Sequence, residues 1–165
     1  MIRVGILTIS DGVAAGERED ESGVALQQRA IMLGWNVSWT DVTPDDRDTI
    51  GATISPLAHG GNLDVILTTG GTGIAHRDVT PEAVRAIADR EVEGIGEAMR
   101  AEGRKSTKFA SLSRSGGYTL GSTLIVTLPG SPRGAVDSLN AIVDLIPHVV
   151  DLLHGKTRHE QKPAP

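Results

Sequence analysis

The chain has 165 residues, 39% hydrophobic and 22% charged, with a formal net charge of −5 and no cysteine. A chain of that length fits one domain, which buries roughly 70% of the surface exposed by its unfolded form, and no second domain is needed. The acidic balance argues against a general nucleic-acid binder, which needs excess Lys and Arg on one face. The missing cysteines exclude disulfides, a thiolate nucleophile and cysteine-ligated zinc. Aromatic residues make up 2% while glycines number 20, so the core must be aliphatic. Glycines should mark tight turns or places where a ligand approaches the backbone. No basic leader precedes the first apolar run, and no run nears the ~18 apolar residues of a membrane span. The expectation is a soluble, cytoplasmic protein with no nucleic-acid or membrane partner.

Residues Arg3 to Ile9 (RVGILTI) are short, apolar and rich in β-branched side chains, as in a strand covered on both faces. A charged stretch from Gly16 to Glu21 opens a helix over Ser22 to Leu33, stopped by Gly34. The alternating NVSWTDV, Asn36 to Val42, predicts a second strand, and Thr43-Pro44-Asp45-Asp46 a turn. Residues 47–59 have helical character that Pro56 should kink or interrupt. Asp64 to Thr69 predicts a third strand between two glycine pairs. Thr80 is placed as an N-cap with Pro81 at the first helical position. A further helix is expected over Ile95 to Glu102, mostly loop over 104–121, and a buried strand over Ser122 to Leu128. A final helix should run from Arg133 to about Leu153, bent at Pro147. Residues 1–155 then form a single domain and 156–165 a flexible tail.

Strands separated by helices of about a dozen residues imply right-handed crossovers, hence a three-layer α/β domain with a mainly parallel sheet and helices on both faces. Ligands bind such sheets beyond the carboxyl ends of the strands. Four of those ends are marked here: Ser10-Asp11, Pro44-Asp45-Asp46, Thr69 to Asp78, and Leu128 to Pro132. Gly70, Gly71 and Gly73 would let several N–H groups face an anion, although clustered glycines after a strand, taken alone, are somewhat more often a structural turn. The segment is neither a Walker loop nor a dinucleotide fingerprint. Asp11, Asp45 and Asp78 could hold Mg²⁺ against substrate phosphates; any one alone is more often a turn or cap residue, and it is their coincidence at one edge that points to a metal. Arg77 and Arg114 are candidate phosphate contacts. The histidines, His59, His76, His148, His154 and His159, show no metal-binding spacing.

TTGGTG at Thr68 to Gly73, RDVTPEA at Arg77 to Ala83 and LPGSP at Leu128 to Pro132 together resemble the MogA/MoaB family of molybdenum-cofactor biosynthesis proteins. TISD (Thr8 to Asp11), PDD (Pro44 to Asp46) and SLSRS (Ser111 to Ser115) extend the likeness over nearly the whole chain. The resemblance implies a molybdopterin-binding-like fold, a trimer or hexamer, and transfer of AMP from Mg-ATP to the terminal phosphate of molybdopterin with release of pyrophosphate. It assigns Asp45 and Asp78 to catalysis and Mg²⁺. Asp11, Thr69, Gly70, Gly71, Thr72, Gly73 and Pro81 fall to the nucleotide phosphates. Ser10, Ser113, Arg114, Pro129, Gly130, Ser131 and Pro132 fall to the pterin. A transient contact with a molybdate-insertion protein also follows from the likeness. The alternatives are a MoaB-like pterin binder without adenylyl transfer, and a plain oligomeric scaffold.

Overall fold

Alternation along the central strands settles the layering. In the computed structural model, which describes residues 1–156, Val4 and Ile6 of β1 (Arg3–Ile9) face one apolar cluster, whereas Leu7 and Ile9 face another. The same division separates Val65 and Leu67 from Ile66 in β3 (Val65–Thr69), and Leu124 and Val126 from Ile125 in β6 (Thr123–Leu128). Both faces of these strands therefore need cover. One receives α2 (Glu21–Met32), α5 (Glu93–Arg104), α6 (Pro132–Ile142) and α7 (Ile146–Leu153), through Leu26, Met99, Leu139 and Val150. The other receives α3 (Arg47–His59) and α4 (Thr80–Ile87), through Ile50, Ile54 and Val84. This is the expected three-layer α/β arrangement.

The six-stranded sheet has the order β2-β1-β3-β6-β5-β4, with β2 spanning Asn36–Thr43, β4 Arg90–Val92 and β5 Gly116–Leu120. Pairings among β2, β1, β3 and β6 are parallel, and those of β6 with β5 and β5 with β4 are antiparallel. Ile9 pairs with Thr43, Thr8 with Thr69, and Thr69 with Leu128, so four carboxyl ends finish level along one edge.

Several local expectations change. The region 104–121 is not mostly loop: it holds a 3₁₀ turn, Lys108–Leu112, and the fully buried β5. Pro56 leaves α3 uninterrupted, because it falls in the last turn and its carbonyl still accepts from Gly60 N–H at 3.0 Å. The long final helix is two helices. The break lies at residues 143–145, and Pro147 opens α7, where a missing N–H has no intrahelical partner to lose. The N-cap of α4 is Val79 without a side-chain bond, while the Thr80 hydroxyl donates to Gly70 O at 2.9 Å. The expected flexible tail and His159 lie outside the described residues, apart from Lys156, whose Nζ meets Asp151 at 2.9 Å.

At the opposite edge of the sheet, buried Asp64 accepts from the Arg3 backbone N–H at 2.7 Å and from its guanidinium at 2.6 Å. Burial pushes the Asp64 carboxyl up, but the bonds from Arg3 outweigh it, and the net pKa lies below the ordinary carboxylate value. A depressed folded pKa contributes stability that is present above the unfolded value, about 3.9, and lost as pH falls through the folded one. Asp64→Asn should therefore destabilise most near neutrality. Urea unfolding should show the gap to wild type closing below about pH 4; an unchanged gap from neutral to strongly acid pH contradicts this account.

Candidate functional site

The loop after β3 is shaped by backbone contacts before any ligand is considered. Gly70 has φ +106°, and a Cβ there would collide with the carbonyl oxygen of Ile9. Its N–H donates to Leu128 O at 3.1 Å, so it is not one of the donors expected to face a phosphate. Gly71 has φ +65°, and a Cβ there would strike the Thr80 hydroxyl and sit 3.1 Å from Asp45 Oδ1. Thr80 N–H holds Gly71 O at 3.1 Å. Among the described residues the N–H groups of Gly71, Thr72 and Gly73 have no hydrogen-bond acceptor, leaving three successive donors for an anion.

Two aspartates from neighbouring strand ends clasp one another. Asp11 N–H donates to Asp45 Oδ2 at 2.9 Å, and Asp45 N–H to Asp11 Oδ1 at 3.0 Å. Arg77 completes the clasp with two bonds to Asp11 Oδ2, at 3.0 and 2.7 Å, and one to Oδ1 at 2.8 Å. Arg77 first, and then the Asp45 N–H, holds the Asp11 carboxyl below its ordinary value. Burial pushes Asp45 upward; the bond from Asp11 N–H and the charge of Arg77 oppose that, while the charges of Asp11 and Asp78 reinforce it. Asp78 is aimed by its own loop, Oδ2 accepting from Ala75 N–H at 2.9 Å.

Two hollows meet at this edge. The first, of about 400 Å³, is acidic and is lined by Asp45 and Asp78 together with Ser10, Thr69, Gly70, Gly71, Gly130, Ser131 and Pro132. Asp45 and Asp78 thus share one cavity. The second, of about 750 Å³, is lined by Thr72, Gly73, Ser113, Pro129 and Ser131, with Ile74, Met99, Phe109 and Leu112 supplying apolar wall. Ser131 belongs to both, and its hydroxyl caps α6 by accepting from Gly134 N–H at 3.2 Å. Of the residues assigned to the pterin, Ser113, Pro129 and Ser131 line the apolar hollow, whereas Ser10, Gly130 and Pro132 line the acidic one.

Three assigned residues stand elsewhere. Asp11 lies behind Asp45 as its clasp partner rather than in the cavity lining. Pro81 lines a separate hollow of about 320 Å³ with Arg85 and Glu91. Arg114 is a clamp: its guanidinium donates to Gly73 O at 2.8 Å, to Asp78 O at 2.7 Å and to Glu82, while its N–H holds Thr72 O at 2.8 Å. It therefore shapes the glycine loop. Sequence reading missed the segment Arg18 to Ser22, which lines the acidic hollow and was legible only as a charged helix entrance. It also missed Phe109, 66% exposed despite being the chain's single phenylalanine.

These contacts separate two glycine substitutions. Gly70→Ala meets backbone and an unfavourable φ, and should cost roughly 3 kcal/mol of stability. In Gly73→Ala the new Cβ sits 2.6 Å from Asp78 Oδ2, a side-chain atom, so stability should fall by under about 1 kcal/mol while the carboxylate is displaced. Thermal unfolding of the two variants checks this, and equal losses would refute it.

A family model described as "Probable molybdopterin binding domain" matches residues 5–148. Molybdopterin adenylyltransferase of Helicobacter pylori is 35% identical over 93% of this chain and 89% of its own length, and that of Escherichia coli K12 36% identical over 93% and 79%. The molybdenum cofactor biosynthesis bifunctional protein of Synechococcus elongatus is 39% identical over 91% of this chain, which spans only 47% of that longer protein. Among solved structures, the molybdopterin biosynthesis enzyme MoaB of Thermus thermophilus superposes with a TM-score of 0.88 at 44% identity, covering 94% of this chain and 98% of that one. With both its sequence and its sheet matched nearly end to end, the chain belongs to the molybdopterin-binding domain family of molybdenum-cofactor biosynthesis.

Proposed function

We propose that this protein is a molybdopterin adenylyltransferase, transferring AMP from Mg-ATP to the terminal phosphate of molybdopterin. The observation that carries the reading is the junction of the two hollows: an acidic one opens at Ser131 onto a larger apolar one suited to a flat ring, and the unpartnered amides run across that junction, Gly71 lining the acidic side and Thr72 and Gly73 the apolar side. In the reaction, an oxygen of the pterin phosphate forms a bond to the α-phosphorus of ATP. The α-phosphorus bond to the bridging oxygen breaks, and pyrophosphate leaves with the electron pair. No protein nucleophile is needed, so the residues contribute alignment and charge placement. The amides of Gly71, Thr72 and Gly73 orient phosphate oxygens, and the Asp11–Asp45 clasp fixes the Asp45 carboxylate. The adenylyltransferase names of the relatives support the same chemistry.

Magnesium suits this donor set. Two carboxylates, Asp45 and Asp78, face one cavity, and Asp45 is raised by burial and by neighbouring acids that a cation would offset. Magnesium is commonly shared between one or two carboxylates and substrate phosphates, with water completing its shell. When bound, Mg²⁺ would draw charge from the triphosphate. The proposal also includes assembly as a trimer or hexamer, for which exposed Val24, Ile31 and Met32 on α2 supply an apolar strip. A transient contact with a molybdate-insertion protein and a cytoplasmic location belong to the same reading. No helix among the described residues is long and apolar enough to cross a membrane.

The test is pyrophosphate release from Mg-ATP with and without molybdopterin. Release should require the pterin, and Asp45→Asn and Asp78→Asn should each lower kcat by roughly a hundredfold without unfolding the protein. Full turnover in both variants would defeat the site assignment. Pterin binding without pyrophosphate release would select the non-catalytic binder.

A further inference from the structure

The acidic hollow is lined by five acidic residues, Glu19, Asp20, Glu21, Asp45 and Asp78, and by one basic residue, Arg18. An anionic ligand entering it meets a wall of its own sign, so the disposition of that single cation matters. Two other arginines at this edge are committed, Arg77 to Asp11 and Arg114 to Glu82, Gly73 O and Asp78 O, while Arg133 lines the apolar hollow and pairs with Asp137 at 3.5 Å. Arg18 is exposed, and its guanidinium has no hydrogen bond or ion pair among the described residues, although three acids follow it in sequence. The nearest of them to be fixed, Asp20, is held by the Thr8 hydroxyl at 2.8 Å and by Gly23 N–H at 2.8 Å.

The stem of Arg18 is better placed than its head. It lies across Gly12 in the short helix α1 (Asp11–Ala14), where a Cβ would come within 3.1 Å of Cδ and 3.6 Å of Cγ. The bare backbone at Gly12 gives the methylene chain a surface to rest on, and the guanidinium beyond it has no partner among the described residues. Residues 18–22 line the acidic hollow and not the apolar one, whereas Ser131 lines both. In an in-line displacement the leaving group departs on the side away from the nucleophile. A pterin phosphate arriving from the apolar side therefore directs pyrophosphate away from Ser131, toward the part of the wall that the apolar hollow does not share.

We propose that Arg18 is a further substrate-contacting residue, which binds the two outer phosphates of the triphosphate and takes up the charge of the pyrophosphate as it leaves. The proposal rests on the adenylyl-transfer reading for its substrate. It assigns to this chain an uncommitted cation that its glycine loop does not supply, since that loop offers neutral amides, no lysine, and an arginine, Arg77, already paired with Asp11.

Calorimetric titration of the wild type, Arg18→Gln and Arg18→Lys with Mg-pyrophosphate, Mg-ATP and AMP tests it. Arg18→Gln should weaken pyrophosphate and ATP by about tenfold or more and leave AMP unchanged, and Arg18→Lys should recover part of the loss. The side chain is exposed, so the unfolding midpoint should not move. Pyrophosphate binding that is equal in wild type and Arg18→Gln overturns the proposal, as does an equal weakening of AMP. A wild type that binds none of the three ligands overturns both this assignment and the adenylyl-transfer reading. The expected titrations combined with no transfer to molybdopterin defeat that reading alone and leave Arg18 as a pyrophosphate-binding residue.

Discussion

Three strand ends are pressed together at Gly70, and the rest of the edge is arranged around that crossing. Ile9 O lies against its Cα on one side, and Gly130 approaches so closely on another that a Cβ there would stand 3.3 Å from Gly70 Cα. Leu128 O takes the Gly70 N–H, and the Thr80 hydroxyl takes its carbonyl. Nothing bulkier than hydrogen fits among these backbones, so the chain leaves the sheet along one path. That path sets the direction of the three following amides and, through Thr80, the start of α4. Adjacent Thr69 adds a bond from its hydroxyl to Pro129 O at 2.7 Å, which joins the same two loops. The site is in this sense a consequence of how closely main chains approach, with side chains added to a frame already determined.

Acids concentrated on such a frame repel one another, and the fold answers the repulsion in two ways. Asp11 is neutralised locally by Arg77 and oriented by a main-chain donor. Asp45 receives a main-chain donor but no cation of its own, and remains under strain from burial and from its neighbours. The asymmetry is informative, because a surface with no anionic task would be expected to pair both carboxylates. One acid is satisfied within the protein and serves as a fixed support, while the other presents its charge to the cavity. Preorganisation of this kind lowers the reorganisation needed when a charged substrate arrives.

What was legible beforehand follows from the range over which each feature is encoded. The three central strands showed themselves because RVGILTI, VILTT and TLIVTL are dominated by apolar and β-branched residues, threonine included, that mark a strand locally. Strand β5 begins with two glycines and follows a serine-rich stretch, so its burial is imposed by β6 and not announced locally. The three residues of β4 are likewise strand only because β5 pairs with them. Within the site, strand-end position marked Asp11, Asp45 and Asp78 alike, and only the family resemblance singled out Asp45 and Asp78. The clamping role of Arg114 was not legible, since its partners Gly73, Asp78 and Glu82 lie more than thirty residues away in sequence and only the folded loop brings them to it. Phe109 and Leu112 carry no periodicity that would mark them as a cavity wall, because the short 3₁₀ turn that presents them exposes most of its residues.

The shared wall at Ser131 has a kinetic corollary. A molecule that occupies the acidic and the apolar hollow at once engages its second half without a further loss of translational freedom, at an effective concentration set by its own covalent span. Such a joined species is retained far longer than either fragment, because both ends must let go within the same interval. A geometry that would bring two reactants together would therefore also resist parting with their adduct. Turnover on this scaffold would be governed as much by how the adduct is drawn out of its twin compartments as by how quickly it forms.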